Sequence, residues 1–180
     1  MAWQAAYPGF VRMAWLLPLG FTLLEVEQWN IVAFCETHFP GLPTTNAAYM
    51  RVTQFAGVLI SWLWTRAAMR ARSARRAAFG ILPLVAIGLF EALSHACAAL
   101  YFRAYVPGMV MALTVFGPAS LLLARRVWRD GLVARAYVIG LAVFVLLDFG
   151  TWLIRPEIDL ANKLEAGERI GAALARLVGQ

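Results

Sequence analysis

Five stretches of predominantly apolar residues, each close to the length of a bilayer crossing, constrain this chain more than any other feature. A helix needs about 20 such residues to span the hydrocarbon core. With no water there to satisfy a bare backbone, helices and closed barrels are the only spanning forms. The stretches fall at about 13–35, 52–69, 77–102, 106–124 and 134–154. Over the whole chain 62% of the 180 residues are hydrophobic, against about 45–50% in soluble domains. That excess covers the whole length and leaves no residues for the polar shell of a greasy soluble core. The expected fold class is therefore all-α: a polytopic integral membrane bundle of about five transmembrane helices.

The connections set the orientation. Arg66, Arg70, Arg72, Arg75 and Arg76 crowd the second, and Arg125, Arg126, Arg129 and Arg135 the fourth. The first and third hold only Arg51 and Arg103. Arginine gathers on the cytoplasmic side of membrane proteins. The N-terminus is then cytoplasmic, and five crossings put the C-terminus outside. The net charge of +6 belongs to these clusters, so it carries no expectation of nucleic-acid binding. The opening "MAWQAAYPGF" lacks a basic n-region, so no cleavable signal peptide is expected. Residues 1–155 read as the bundle. The tail 156–180 follows a proline stop and intersperses Ile158, Leu160, Leu164, Ile170, Leu174, Leu177 and Val178 with charges, as a surface-lying amphipathic helix does. Cys35 and Cys97 have neither metal-finger nor Cys-x-x-Cys spacing and read as two free thiols.

Polar residues interrupt the apolar segments. The first carries Glu25, Glu27, Gln28 and Asn30, the second Gln54, the third Glu91 and His95, the fourth Thr114 and Ser120, and the fifth Asp148. Ionisable groups in a bilayer cost on the order of 2.5–3.5 kcal/mol each on insertion scales, and they persist when they face a bundle interior with a partner. Counted from the inner boundary at 1.5 Å per residue, Glu25 to Gln28 lie roughly 18–22 Å up, Glu91 and His95 roughly 21–27 Å, and Asp148 roughly 21 Å. Three helices thus contribute to one polar layer. Leu24, Glu27 and Gln28 share a stripe (i, i+3, i+4), as do Glu91 and His95 (i, i+4). Gly88, Ala92 and Ala99 flank the second stripe, and small residues allow close helix approach, so this face is expected to pack inward. Glu25 projects about 200° from Glu27 and either needs a separate partner or snorkels. Asn30, Gln54 and Thr114 suit interhelical hydrogen bonding.

Such a layer suits acid–base chemistry: a protonated carboxyl is a ready general acid, and a neighbouring histidine a base. The candidate catalytic residues are Glu27 and Glu91 as acids, His95 as base or orienter, and Asp148 as charge stabiliser. Gln28, Asn30, Trp29, Tyr101 and Glu25 are the candidate substrate-binding residues. Phe90, Phe149 and Trp152 could also line an apolar pocket, although packing and interface anchoring explain such aromatics equally well.

The segments "LLEVEQWNIVAFCETHFPGLPTT" and "FEALSHACAALYFRAYVPGMVMALTVFGPASLLLARR" resemble the HXXEE-motif family of small bacterial polytopic membrane proteins. The resemblance covers roughly residues 15–125. It rests on the tag of the first helix and on a later block, here His95, Tyr101, Arg103, Tyr105, Pro107 and Gly108. It implies a bacterial inner-membrane location and suggests an enzyme, with no assigned reaction. Aligned on Trp29, the family's histidine falls at Leu24 and its two glutamates at Glu27 and Gln28. A metal site built on the tag would have lost two of its three residues, so neither metal nor cofactor is expected.

The expected function is a small membrane enzyme working on a lipophilic substrate by isomerisation, cyclisation or hydrolysis, with membrane lipids and a hydrophobic small molecule as partners. The alternatives are a non-catalytic membrane subunit or lipid-binding module, and a proton-coupled transporter, for which a homodimer would supply the path.

Overall fold

The computed structural model describes residues 2–38 and 46–154, with 165, 168–173 and 176. The described residues form helices and no strand. A short α1 (Ala2–Ala6) leads into α2 (Pro8–Glu27), which passes through a 3-10 turn (Gln28–Asn30) into α3 (Ile31–His38). Then follow α4 (Ala47–Met69) and α5 (Ala74–Phe102). A single turn, α6 (Met109–Met111), continues through a π-helical turn (Ala112–Phe116) into α7 (Gly117–Arg129), and α8 (Arg135–Ile154) follows.

Three continuous stretches are long and apolar enough to cross a membrane: Pro8–His38, Ala74–Phe102 and Met109–Arg129. With the large apolar side chains left exposed around the bundle, among them Phe55, Ile60, Leu63, Phe144 and Leu147, they describe a membrane-embedded protein. Outside a membrane such a surface would be an aggregation liability.

Local chemistry sets the helix starts. Asn46 accepts from the Ala48 amide at 2.9 Å and begins α4, earlier than the apolar pattern at about 52 suggests. Ser73 caps α5 in the same manner. The fourth apolar stretch does not become helical at 106. Pro107 and Gly108 lie before the helix, and Gly108 adopts φ +94° as its N-cap. This left-handed backbone favours glycine, which has no Cβ to clash. Of the tail, only 165, 168–173 and 176 are described, all helical. The amphipathic helix expected over 156–180 otherwise lies outside the described residues.

The core lies where α2, α5 and α7 meet. Phe10, Leu17, Leu24, Ile81, Leu82, Phe116, Leu123 and Val127 are fully buried there. Small residues bring the backbones together. A Cβ added to Gly20 would sit 3.1 Å from the Phe116 Cα, and one on Gly117 would sit 2.6 Å from the Ala92 Cβ. Gly88 packs against Phe116 and Ser120. The Gly88–Ala92 flank of α5 therefore faces inward, as its small residues suggest. α4 and α8 pack against the outside of this trio, α4 on α2 and α5, and α8 mainly on α5.

At one end of the bundle the N-terminal helix is tied to the arginine-rich turns. Trp3 Nε1 donates to the Ala71 carbonyl at 2.8 Å, and Gln4 Nε2 to that of Met69 at 2.8 Å. Gly9 lies against the Arg126 side chain. The N-terminus and the two arginine clusters thus share one end, and the polar layer lies toward the other.

Candidate functional site

The site forms where the break in the first helix meets the turn before α6. At Gln28 the helix tightens into a 3-10 turn, which aims two consecutive side chains, Glu27 and Gln28, across to residues 105–111. Glu27 Oε1 accepts from the Tyr105 hydroxyl at 2.5 Å and the Val110 amide at 3.1 Å, and Oε2 accepts from the Met111 amide at 2.7 Å. The first amides of a helix have no partner within it. A carboxylate supplies both the missing acceptor and a charge that complements the helix N-terminus. Glu27 thereby caps a helix more than eighty residues away.

Tyr105 lies outside the helices and is 54% exposed. Its hydrogen bond to the Glu27 carboxylate, with smaller contributions from burial and the carboxylate's charge, pushes its pKa up to about 12.

Gln28 turns toward His95, whose side chain is buried. The histidine Nδ1 lies 2.8 Å from the Glu91 carbonyl oxygen and 3.5 Å from the Glu91 carboxylate. A carbonyl can only accept, so Nδ1 carries a hydrogen and donates it there. In the neutral ring Nε2 is then bare, and the Gln28 amide nitrogen, 2.8 Å away, donates to it. The Pro107 carbonyl oxygen is 3.1 Å from the same Nε2.

Gly108 makes room for this arrangement. A Cβ there would sit 2.6 Å from Gln28 Cγ and Nε2 and 2.7 Å from His95 Nε2. Gln54 of α4 completes the corner by donating from Nε2 to the Gln28 carbonyl at 3.1 Å.

Glu27, Gln28, Glu91 and His95 are thus brought together. The other candidates lie around or apart. Trp29 is half exposed, and the Arg51 guanidinium lies 4.8 Å from its ring centroid. Asn30 is exposed and Glu25 half-buried. Tyr101 is 75% exposed, with its ring edge-on to Phe102. Asp148 is exposed on α8, and among the described residues no hydrogen bond or ion pair joins its carboxylate to Glu27, Glu91 or His95. The Trp152 side chain is outside the described set. Cys35 and Cys97 are both free thiols.

Tyr105, Pro107 and Gly108, which the sequence offers only as part of the family block, take working positions here. A Pro-Gly pair before a helix, one turn beyond a histidine-bearing segment, was the available signal. Among the described residues, no group of three or more His, Cys, Asp or Glu side chains has the geometry to hold a metal ion.

Residues 15–123 match the family described as "Protein of unknown function with HXXEE motif". The match covers more than half of the chain, which belongs to this family. Its span contains both halves of the site, the tag on α2 and the Tyr105–Gly108 segment. No curated protein and no solved structure matches the chain.

Proposed function

We propose that the protein is a small membrane enzyme that moves a proton on a lipophilic substrate, with His95 as the base and Glu91 as its orienting partner. The observation that carries this reading is the pair of environments around the His95 ring. On one side, Glu91 fixes Nδ1–H through its carbonyl and places a carboxylate 3.5 Å from the ring. On the other, the Pro107 oxygen stands 3.1 Å from Nε2. A proton arriving at Nε2 meets an acceptor already in place, and the carboxylate balances the new charge. A base oriented by a third group is the general arrangement for proton transfer. The Gln28 amide is the movable element, since a substrate must turn it aside to reach Nε2.

In this reading all five long helices cross the inner membrane of a bacterial cell, with the arginine-rich end and N-terminus in the cytoplasm and the C-terminus outside. The reaction class is isomerisation, cyclisation or hydrolysis. Glu27, held by three donors, shapes the site rather than exchanging protons. The same engagement of Glu27 favours a second reading, a lipid-binding module without chemistry.

The test is native mass spectrometry of protein purified in mild detergent, with elemental analysis of the same sample. Parent protein incubated with a total bacterial lipid extract should convert a component that H95A and E91Q leave unchanged. A ligand retained without turnover would favour the binding module. Identical behaviour of parent, H95A and E91Q would remove the acid–base reading.

A further inference from the structure

Beside the histidine cluster, one turn of α4 carries two polar side chains whose hydrogen-bonding capacity is incomplete. Gln54 is 7% exposed. Its Nε2 must face the Gln28 carbonyl, because a carbonyl only accepts, so the orientation of the amide is fixed. The atom left over, Oε1, is buried and has no donor among the described residues. Arg51 lies at i−3 on the same helix, its guanidinium over the Trp29 ring. Its Nε is likewise buried and has no acceptor among the described residues. One helical turn thus holds an unmet acceptor and an unmet donor, both beside the 28–29 corner. A buried polar atom left unpaired is costly, and more so in hydrocarbon.

We propose that this turn binds the headgroup of one membrane phospholipid. Both atoms are covered, so the headgroup must displace what covers them: a phosphate oxygen would then accept from Arg51 Nε–H, and the ammonium or hydroxyl of the same headgroup would donate to Gln54 Oε1. Arginine and an exposed tryptophan are an anchoring pair for the level where headgroups lie. Below them on the same helix, Val52, Phe55 and Leu59 are exposed and apolar, a strip (i, i+3, i+7) along which an acyl chain can lie. An anion alone would leave Gln54 unmet, and a neutral diacylglycerol would leave Arg51 unmet. The two atoms together select a headgroup that both accepts and donates. The inference rests on the proposed membrane crossing of α4, and is independent of the acid–base reading of His95.

Native mass spectrometry in detergent tests it with dioleoylphosphatidylethanolamine, diolein and inorganic phosphate as separate probes. The parent should retain one phosphatidylethanolamine and gain thermal stability from it. R51Q/Q54M, and R51K as a milder variant that keeps the charge but lacks Nε, should bind it about tenfold more weakly or worse. H95A should retain it. Equal retention by parent and R51Q/Q54M overturns the proposal, as does equal stabilisation by diolein. Inorganic phosphate matching the lipid would show a free-anion site and also overturn it. Loss in H95A with retention in R51Q/Q54M would place the lipid at the histidine instead. If the Arg51–Gln54 effects hold while H95A and E91Q behave like the parent, the lipid site stands and the acid–base reading falls.

Discussion

Glu27 and Tyr105, separated by 78 positions in the chain, meet through a 2.5 Å hydrogen bond at the start of the fourth long helix. The same carboxylate takes the amides of Val110 and Met111. Glu27 and the Tyr105–Gly108 segment are therefore two sides of one contact.

Removing the carboxylate should loosen this contact. E27A leaves the Val110 and Met111 amides without their acceptor, and loss of such a helix cap costs about 0.5–2 kcal/mol. E27Q keeps one acceptor oxygen and should cost less. Thermal unfolding in detergent, compared across parent, E27Q and E27A, checks the order. Equal midpoints would mean that the cap contributes nothing.

The backbone at Gly108 gives a sharper test. G108A faces both a left-handed backbone and a Cβ within 2.7 Å of Gln28 and His95, and should cost on the order of 1–3 kcal/mol. Gly131 also has positive φ but opens on free space, whereas Gly140 is helical with nothing within 4 Å. G131A should therefore cost about 1 kcal/mol or less, and G140A should be neutral or stabilising by up to about 1 kcal/mol. Chemical-denaturation midpoints for the three variants would separate crowding at the site from backbone strain alone.

The Tyr105 phenol should lose its proton late. Its pKa is raised to about 12 by the bond to Glu27, and an unperturbed tyrosine titrates near 10. The folded state holds the proton more tightly, so the stability contributed is complete below the unfolded value and is lost as pH rises through the folded value. Ultraviolet difference titration of parent minus Y105F should show a phenolate forming near 12. In E27A it should form near the ordinary value.

Restoring the family tag probes whether its positions act together. Leu24 is 1% exposed, so L24H buries an imidazole without an arranged partner and should cost about 1–3 kcal/mol. Q28E one turn along can supply that partner. A double-mutant cycle should give a coupling of about 1 kcal/mol or more. Strict additivity would show that the two positions do not communicate.

The sequence revealed the helical architecture because apolar runs and arginine clusters are local signals. Asn46 and Ser73 then fix helix starts by capping, which shifts boundaries by several residues without changing the order of elements. The pairing of Glu91 with His95 was legible because i, i+4 spacing fixes a shared face. Their meeting with Gln28 follows from matching depth and from the stripe that Gln28 shares with Glu27, with no rotation of one helix against another. Depth gave no rotation about the helix axis, so Asp148, at matching height, is exposed on another side. The working roles of Tyr105 and Gly108 are not legible in helical spacing for a different reason. Tyr105 acts through a hydroxyl whose partner lies 78 positions away, and Gly108 through a missing side chain, and neither follows from local spacing.

The π-helical turn at Ala112–Phe116 has an evolutionary consequence. A π turn accommodates one more residue than the α-helix around it, so the two halves of this helix run in different registers. The lower half keeps Phe116, Ser120 and Leu123 in the core, while the upper half presents Val110 and Met111 to Glu27. Deleting one residue within 112–116 would restore the α-helix and rotate one half by about 100° relative to the other. Relatives that lack the extra residue would keep the same membrane packing yet present a different arc of side chains to the tag. A single-codon gap here would therefore re-aim the start of this helix against Glu27 while leaving the hydrophobic scaffold intact.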